Sequence, residues 1–335
     1  MTLRSVFLLT GLLGIALTSL SAQADYREHA LAPAFIDTMV SEHGFERAEV
    51  EALLAEARRQ QPILDAISRP AEKAKPWHEY RQIFIQPDRI AQGVAFWREH
   101  AEVLARAEET FDVDAAVIVA IIGVETRYGR NTGSWRVLDA LATLGFDYPP
   151  RADFFRQELA HYFVLAREAA LPMREVKGSY AGAMGFGQFI PSSYRAYAVD
   201  FNGDGRVDII NDIEDAIGSV ANYLKVHGWR RGEVAVAQAR TAAAAADPLV
   251  ARGLELERSV GEFRQQGVNV PPGVDDAARA ALFRFEGAEG LEYWVGFNNF
   301  YVITRYNRSP MYAMAVLQLG EAIAAQTDVQ FQAVR

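Results

Sequence analysis

The chain has 335 residues, 50% of them hydrophobic and 23% charged, with a net charge of −9. That is the balance of a globular protein with room for a sizeable core, in one elaborated domain or two modest ones. The acidic excess argues against nucleic acid, whose affinity comes largely from Lys and Arg on phosphates. The absence of cysteine excludes disulfides, cysteine–metal sites and a lipid anchor on an N-terminal thiol.

Residues 1–24 read as a secretory signal peptide. They carry one cation, Arg4, then an apolar run from Val6 to Leu17, and end in Ala22-Gln23-Ala24, a small-residue cleavage pattern. The run is short for a membrane span, and small polar residues break its end. Cleavage after Ala24 leaves a mature chain one unit more acidic, expected to be soluble and periplasmic.

Residues 25–76 form an N-terminal helical region. Apolar positions three and four apart run through 33–45 and 47–60, with Gly44 as the stop between them. Pro62, Pro70 and Pro76 break the connector that follows. The spacing over 86–111 predicts one long amphipathic helix with Asp88 in its first turn. The next helix, 115–125, is apolar on nearly every side, so it should be buried all round. Asp114 is placed to cap it. Two more helical stretches lie either side of Pro149 and Pro150, and another runs from about Asp215 to Gly228. From about residue 231 the pattern changes. Alternating aromatics between 281 and 307 predict a few strands, including a hairpin at Gly287–Gly290, before a closing helix from Pro310.

Four features carry chemistry. Glu125 ends the buried helix. Desolvation and the negative end of the helix dipole both disfavour its anion, which suits a general acid. A structural carboxylate paired with Arg127 or Arg130 is the simpler reading of that residue alone. Lys177 to Tyr194 holds four glycines, Gln188 and several aromatics, a lining suited to sugars or a tight packed loop. Asp200 to Asp212 follows the front of an EF-hand loop. Asp200, Asn202 and Asp204 stand at positions one, three and five, Gly205 at six, the Arg206 carbonyl at seven and Asp208 at nine. Position twelve is Asn211 in place of Glu, so a longer loop, a weak site and a metal-free turn all stay open. Tyr306, Asn307, Ser309 and Tyr312 stand where a strand is expected to turn into the last helix, and can line a cleft or cap that helix. No zinc-spaced His/Asp/Glu cluster, G-x-S-x-G or phosphate-binding glycine loop is present.

Residues 123–133, 136–155, 177–209, 215–229 and 299–316 resemble, in this order, the lytic murein transglycosylase B family, and the likeness runs from about residue 30 to 325. The resemblance implies a mainly α (α+β) fold: a lysozyme-like helical core with an added helical domain and a small β domain. The core falls on 77–230 with its EF-hand-like loop, the β-containing domain on 231–304, and 305–335 returns to the core. The implied reaction cleaves the β-1,4 bond between N-acetylmuramic acid and N-acetylglucosamine of peptidoglycan without water, leaving a 1,6-anhydromuramoyl end. The family's catalytic acid falls on Glu125. It would protonate the leaving oxygen, then take the proton of the attacking C6 hydroxyl, so no second carboxylate is needed, unlike in glycosidases that use a pair.

Cleft residues carried over by position are Tyr80, Arg151, Ser179, Gln188, Tyr223, Tyr306 and Tyr312, with Ser179 and Gln188 orienting the sugars and Arg151 meeting lactyl or peptide carboxylates. A structural Ca²⁺ would take Asp200, Asn202, Asp204, the Arg206 carbonyl and Asp215 or Glu214; no organic cofactor is implied. The expected partners are peptidoglycan glycan strands, for a monomer without lipid anchor that works beside cell-wall synthesis or remodelling proteins. A hydrolytic muramidase and a non-catalytic peptidoglycan binder are the competing readings.

Overall fold

The structure is a computed structural model of the full chain, describing residues 25–68, 75–327 and 329–335. The leader 1–24 and Pro70 lie outside the described residues. The architecture is mainly helical with small antiparallel sheets. No helix among the described residues is long and apolar enough to cross a membrane.

The N-terminal region holds α1 (Ala32–Ser41), α2 (Arg47–Glu56), α3 (Gln61–Ile67) and α4 (Trp77–Phe84). Gly44 adopts φ +66° and ends the first turn of chain as expected. The long helix expected over 86–111 is two, α5 (Pro87–Glu99) and α6 (Ala101–Phe111). They break at His100, whose ring meets Phe96 edge-on at 4.6 Å. The amphipathic period continues through the break, because both helices turn their apolar faces to the same neighbour, α7 (Ala115–Thr126).

Helix α7 is the axis of the molecule. It packs against α5, α6, α11 (Ile213–Val226) and α15 (Pro310–Ala324), which explains why its residues are apolar on every side. Ile118, Ile121 and Ile122 have no exposed surface. Asp114 precedes the helix but does not cap it. Its carboxylate accepts the Trp229 indole N–H at 2.8 Å and the Gly232 N–H at 3.2 Å. Trp229 is buried and must pair its N–H, and the first N–H of α7 is met instead by Glu108 Oε1 at 3.1 Å.

The helical core is completed by α8 (Val137–Asp147), α9 (Ala152–Glu168) and α10 (Pro191–Tyr197), with β1 (Trp135–Arg136) paired to β2 (Lys177–Gly178). The second sheet has strand order β3–β6–β5–β4, all antiparallel: β3 (Val236–Ala239), β4 (Arg258–Ser259), β5 (Arg279–Gly287) and β6 (Gly290–Gly296). The expected hairpin is present, with Gly287 paired to Gly290. Helices α12 (Ala243–Ala246) and α13 (Val260–Gln265) cover one face over a separate apolar cluster that includes Val260, Phe263, Leu282 and Val295.

The stretch expected to be strand beyond residue 297 is a helix, α14 (Asn298–Tyr306). Its aromatic and β-branched residues mimic a strand, but its buried residues, Asn299, Phe300, Val302, Ile303 and Thr304, fall three and four apart. The chain end returns to the sheet. Arg335 N–H and the Ala333 carbonyl bond to Val236, and the Val334 N–H is held by Glu321 of α15 at 2.7 Å.

Candidate active site

Glu125 is the last-but-one residue of α7 and the only one of that helix that is not buried. The helix ends abruptly. Arg127 and Tyr128 take φ of +53° and +60°, followed by Gly129 at +82°, so the chain doubles back beneath the helix end. Tyr128 folds against Gly123, where a Cβ would come within 2.6 Å of the Tyr128 hydroxyl. That hydroxyl donates to the Arg89 carbonyl at 3.0 Å, and burial pushes its pKa up. Arg89 in turn caps the helix by donating to the Gly123 carbonyl at 2.9 Å. Arg127 turns to Asp88 and Gln92 on α5. The arginine nearest the carboxylate in sequence is thereby tied to α5.

The opposite wall comes from residues far away in the chain. Tyr312, in the first turn of α15, donates its hydroxyl to Glu125 Oε1 at 2.6 Å. Ser309 caps α15, accepting the Tyr312 N–H at 3.3 Å, and so fixes the ring's starting point. Tyr306, at the end of α14, donates to the Gly187 carbonyl. Gly187 must be glycine for this approach, since a Cβ there would lie 2.9 Å from the Tyr306 hydroxyl. The Tyr306 and Tyr312 hydroxyls are raised well above the ordinary phenol range, first by burial and then by the Glu125 charge. Both therefore remain protonated donors at working pH. Tyr80 of α4 is buried and adds to the same field at Tyr312.

The glycine-rich segment lies against this end of α7. Thr126 Oγ1 bonds the Phe186 carbonyl at 2.9 Å. Gln188 sits at φ +51°, and its side-chain NH₂ donates to the carbonyls of Thr132 (3.1 Å) and Gly185 (3.0 Å). Ser179 Oγ accepts the N–H groups of Ala181 and Ala183, closing the tight turn before Met184. Tyr223 is buried. Its hydroxyl donates to the Arg305 carbonyl at 2.6 Å and its ring lies 4.7 Å from Tyr306, so it supports the wall behind Tyr306. Arg151 is exposed and stacks over Phe154 at 4.2 Å.

A cavity of about 540 Å³ opens beside Glu125, lined by Arg89, Val124, Thr126, Arg127, Arg130 and Asn131. Of the described residues lining it, Glu125 is the one carboxylate. Sequence reading passed over Arg89, Thr126 and Tyr128. A signal was available: Gly123, inside an otherwise large and branched apolar helix, marks a close approach.

In the loop at 200–215, Asp215 is buried. It accepts the N–H groups of Phe201 (2.7 Å) and Asp208 (2.7 Å), so one carboxylate ties both ends of the loop. Asp200 accepts from Gly203, Asp204 and Gly205; Asn202 and Asp204 accept from residues two further on. Glu214 turns outward to Arg106 at 2.6 Å. The inward acid is therefore Asp215. All these donors are hard oxygens, the type that suits Ca²⁺. Yet among the described residues no three His, Cys, Asp or Glu are grouped to hold a metal, since the loop's carboxylates face its own main chain.

A lysozyme-like helical body with a single carboxyl at the end of a buried central helix defines a class of glycan-cleaving enzyme. The family model of the transglycosylase SLT domain matches residues 27–321. The chain belongs to this family, and it is an enzyme of the lytic transglycosylase class. It is 43% identical over 309 residues to the membrane-bound lytic murein transglycosylase B of Escherichia coli (strain K12), covering 90% of this chain and 84% of the relative. Among solved structures it resembles soluble lytic transglycosylase SltB1 from Pseudomonas aeruginosa, with TM-score 0.83 and 54% identity over 88% of this chain and 99% of that one. It also resembles the Escherichia coli lytic transglycosylase Slt35 in complex with calcium, with TM-score 0.83 and 42% identity over 91% and 96%. SltB3 from Pseudomonas aeruginosa, in complex with NAG-NAM-pentapeptide, matches at TM-score 0.74 and 30% identity over 87% and 78%.

Proposed function

We propose that this enzyme cleaves the N-acetylmuramic acid β-1,4 N-acetylglucosamine bond of peptidoglycan with Glu125 as acid and then base. The observation that carries the reading is the Tyr312–Glu125 hydrogen bond at the mouth of a cavity in which Glu125 is the described carboxylate. The Glu125 carboxyl gives its proton to the glycosidic oxygen as the C1–O bond breaks. The muramoyl C6 hydroxyl then attacks the anomeric carbon, and Glu125 recovers that hydroxyl proton. No water is consumed, and the ring closes as a 1,6-anhydro product. A lone carboxylate fits this route better than hydrolysis, which uses a second acid as nucleophile or base.

In this scheme Tyr312 orients Glu125, and Tyr80 and Tyr306 shape the wall around it. Tyr223 positions Tyr306. Ser179 and Gln188 present the turn that meets the sugars, and Arg151 meets carboxylates at the cleft edge. Mass spectrometry of digested sacculi tests the reading. Anhydro-ended muropeptides are expected; reducing ends one water heavier would overturn it in favour of a muramidase, and an inactive chain that pulls down with sacculi in favour of a binder.

The oxygen-rich loop would hold Ca²⁺ through Asp200, Asn202, Asp204 and the Arg206 carbonyl, with Asp215 inward. The calcium complex of the Slt35 relative supports this. The ion would stiffen the loop behind the glycine-rich segment and take no part in the chemistry. Added Ca²⁺ is expected to raise the melting temperature and EDTA to lower it; no shift with either would remove the metal.

The export and organisation readings go with this function: a leader cleaved after Ala24, a soluble periplasmic monomer, and divisions at 76, 230 and 304. A separate apolar cluster supports the β-containing unit, although residue 304 lies within α14.

A further inference from the structure

A second cavity, of about 930 Å³, lies where α4, β5, the loop at 250–254 and the start of α15 meet. Its floor is apolar, with Trp77, Phe283, Phe285 and Met311, and the Trp77 and Phe285 rings are 5.6 Å apart. Its rim is cationic. Lys75, Arg252, Arg284 and Arg308 line it against one acid, Glu286. That excess is notable in a chain whose net charge is −9. Lys75 and Arg284 are held by Glu79 and Asp247, both at 3.2 Å. Arg252 and Arg308 are exposed and form no salt bridge among the described residues. Glu255, beside the loop, feels the Arg308 charge, but its carboxylate is turned to its own main chain and that of Leu254.

The cavity adjoins the reaction site. Trp77 lies one helical turn before Tyr80, and Met311 immediately precedes Tyr312, the donor to Glu125. One turn is about 5 Å along a helix axis, so the cavity wall begins about one turn from Tyr80 and beside Tyr312, the donor to Glu125. The wall is fixed beforehand, because His78 Nδ1 bonds the Glu286 carbonyl at 3.2 Å and ties α4 to β5.

We infer that this cavity binds the anionic peptide substituent of the glycan, with Arg252 and Arg308 pairing its carboxylates and Trp77, Phe285 and Met311 packing on its aliphatic parts. The inference rests on Glu125 marking the cleavage point. Carboxylates carried on a short, partly apolar chain match a cationic rim over an apolar floor, whereas the sugar rings, with one lactyl carboxylate per muramic acid, offer no aliphatic length to cover that floor.

The test uses the full chain carrying Glu125→Gln, titrated with a soluble glycan oligomer bearing acidic peptides and with the same oligomer after amidase has removed them. In that background, Arg252→Ala/Arg308→Ala is expected to lower the ratio of the two affinities about tenfold, as two partly exposed ion pairs would. The loss should shrink at high salt. A ratio within about twofold of the parent, or an equal loss on both oligomers, overturns the inference. A second variant, Trp77→Leu, keeps the rim intact and should lower the same ratio without the salt dependence. Cleavage of either oligomer by the Glu125→Gln chain, seen by mass spectrometry, would sink the acid/base role while the affinity ratio still reports on the cavity.

Discussion

The end of α7 and the loop between α10 and α11 both gather side-chain oxygens and use them in opposite ways. In the loop, Asp200, Asn202, Asp204, Asp208 and Asp215 accept main-chain N–H groups from no more than 14 residues away. Those bonds form as the loop folds and fix how the carboxylates are oriented. At α7, Glu125 accepts from a tyrosine hydroxyl 187 residues further along the chain. The residue also lines a cavity. A carboxylate fixed by main chain serves folding, whereas one oriented by a distant hydroxyl is placed for a task and can exchange a proton.

The sharpest way to break this contrast is to neutralise each acid in turn. Glu125→Gln keeps size and polarity and should lower the rate by about a thousandfold or more, the range for losing a general acid. Its melting temperature should stay within about 2 °C of the parent, since glutamine keeps the side chain's size and can still accept the Tyr312 hydroxyl. Residual lysis near the wild-type rate, measured by turbidity of sacculi, would show that another group carries the proton.

Asp215→Ala should do the reverse. It removes the partner of the half-buried N–H groups of Phe201 and Asp208, at a cost of about 2–4 kcal/mol. Calorimetry should show a large fall in melting temperature while kcat per folded molecule is retained. A variant that melts normally but loses turnover would invert the comparison.

Tyr312→Phe probes the link itself. Losing one hydroxyl donor to a charged acceptor costs about 1.5–3 kcal/mol, so kcat should fall roughly tenfold to a hundredfold. Because the ring stays in place, KM should change little. A change confined to KM would make Tyr312 a substrate contact and not an orienting donor.

What the sequence made legible follows the same divide. The apolar run of α7, the hairpin at Gly287–Gly290 and the loop acids rest on neighbours in the chain, and local spacing is enough to read them. The break at His100 was invisible because the amphipathic period runs through it. Helix α14 read as strand because Phe300, Val302 and Ile303 fit either period once their partners are unknown. Asp114 looked like a cap until Trp229, 115 residues on, claimed its carboxylate. The site itself was readable mainly through family resemblance. Residue types suggested an acid at Glu125, but nothing local could bring Tyr312, Tyr306 and Gly187 to it.

Glu321 gives the smallest test, because it is a half-buried helical glutamate whose tie to main chain is known. It accepts the Val334 N–H at 2.7 Å and so pins the chain end. Burial raises its pKa above the ordinary carboxylate value of 4.5. A carboxyl raised on folding favours the protonated fold. Its contribution is present below pH 4.5 and is lost as pH rises through the folded-state value. At neutral pH the fold therefore carries the strain of a half-buried anion. Glu321→Gln keeps an acceptor for Val334 and removes that charge. The variant should melt about 1–3 °C higher than the parent at pH 8 and coincide with it near pH 4, where both side chains are neutral. Equal melting of variant and parent at pH 8 would mean that the Glu321 charge costs the fold nothing.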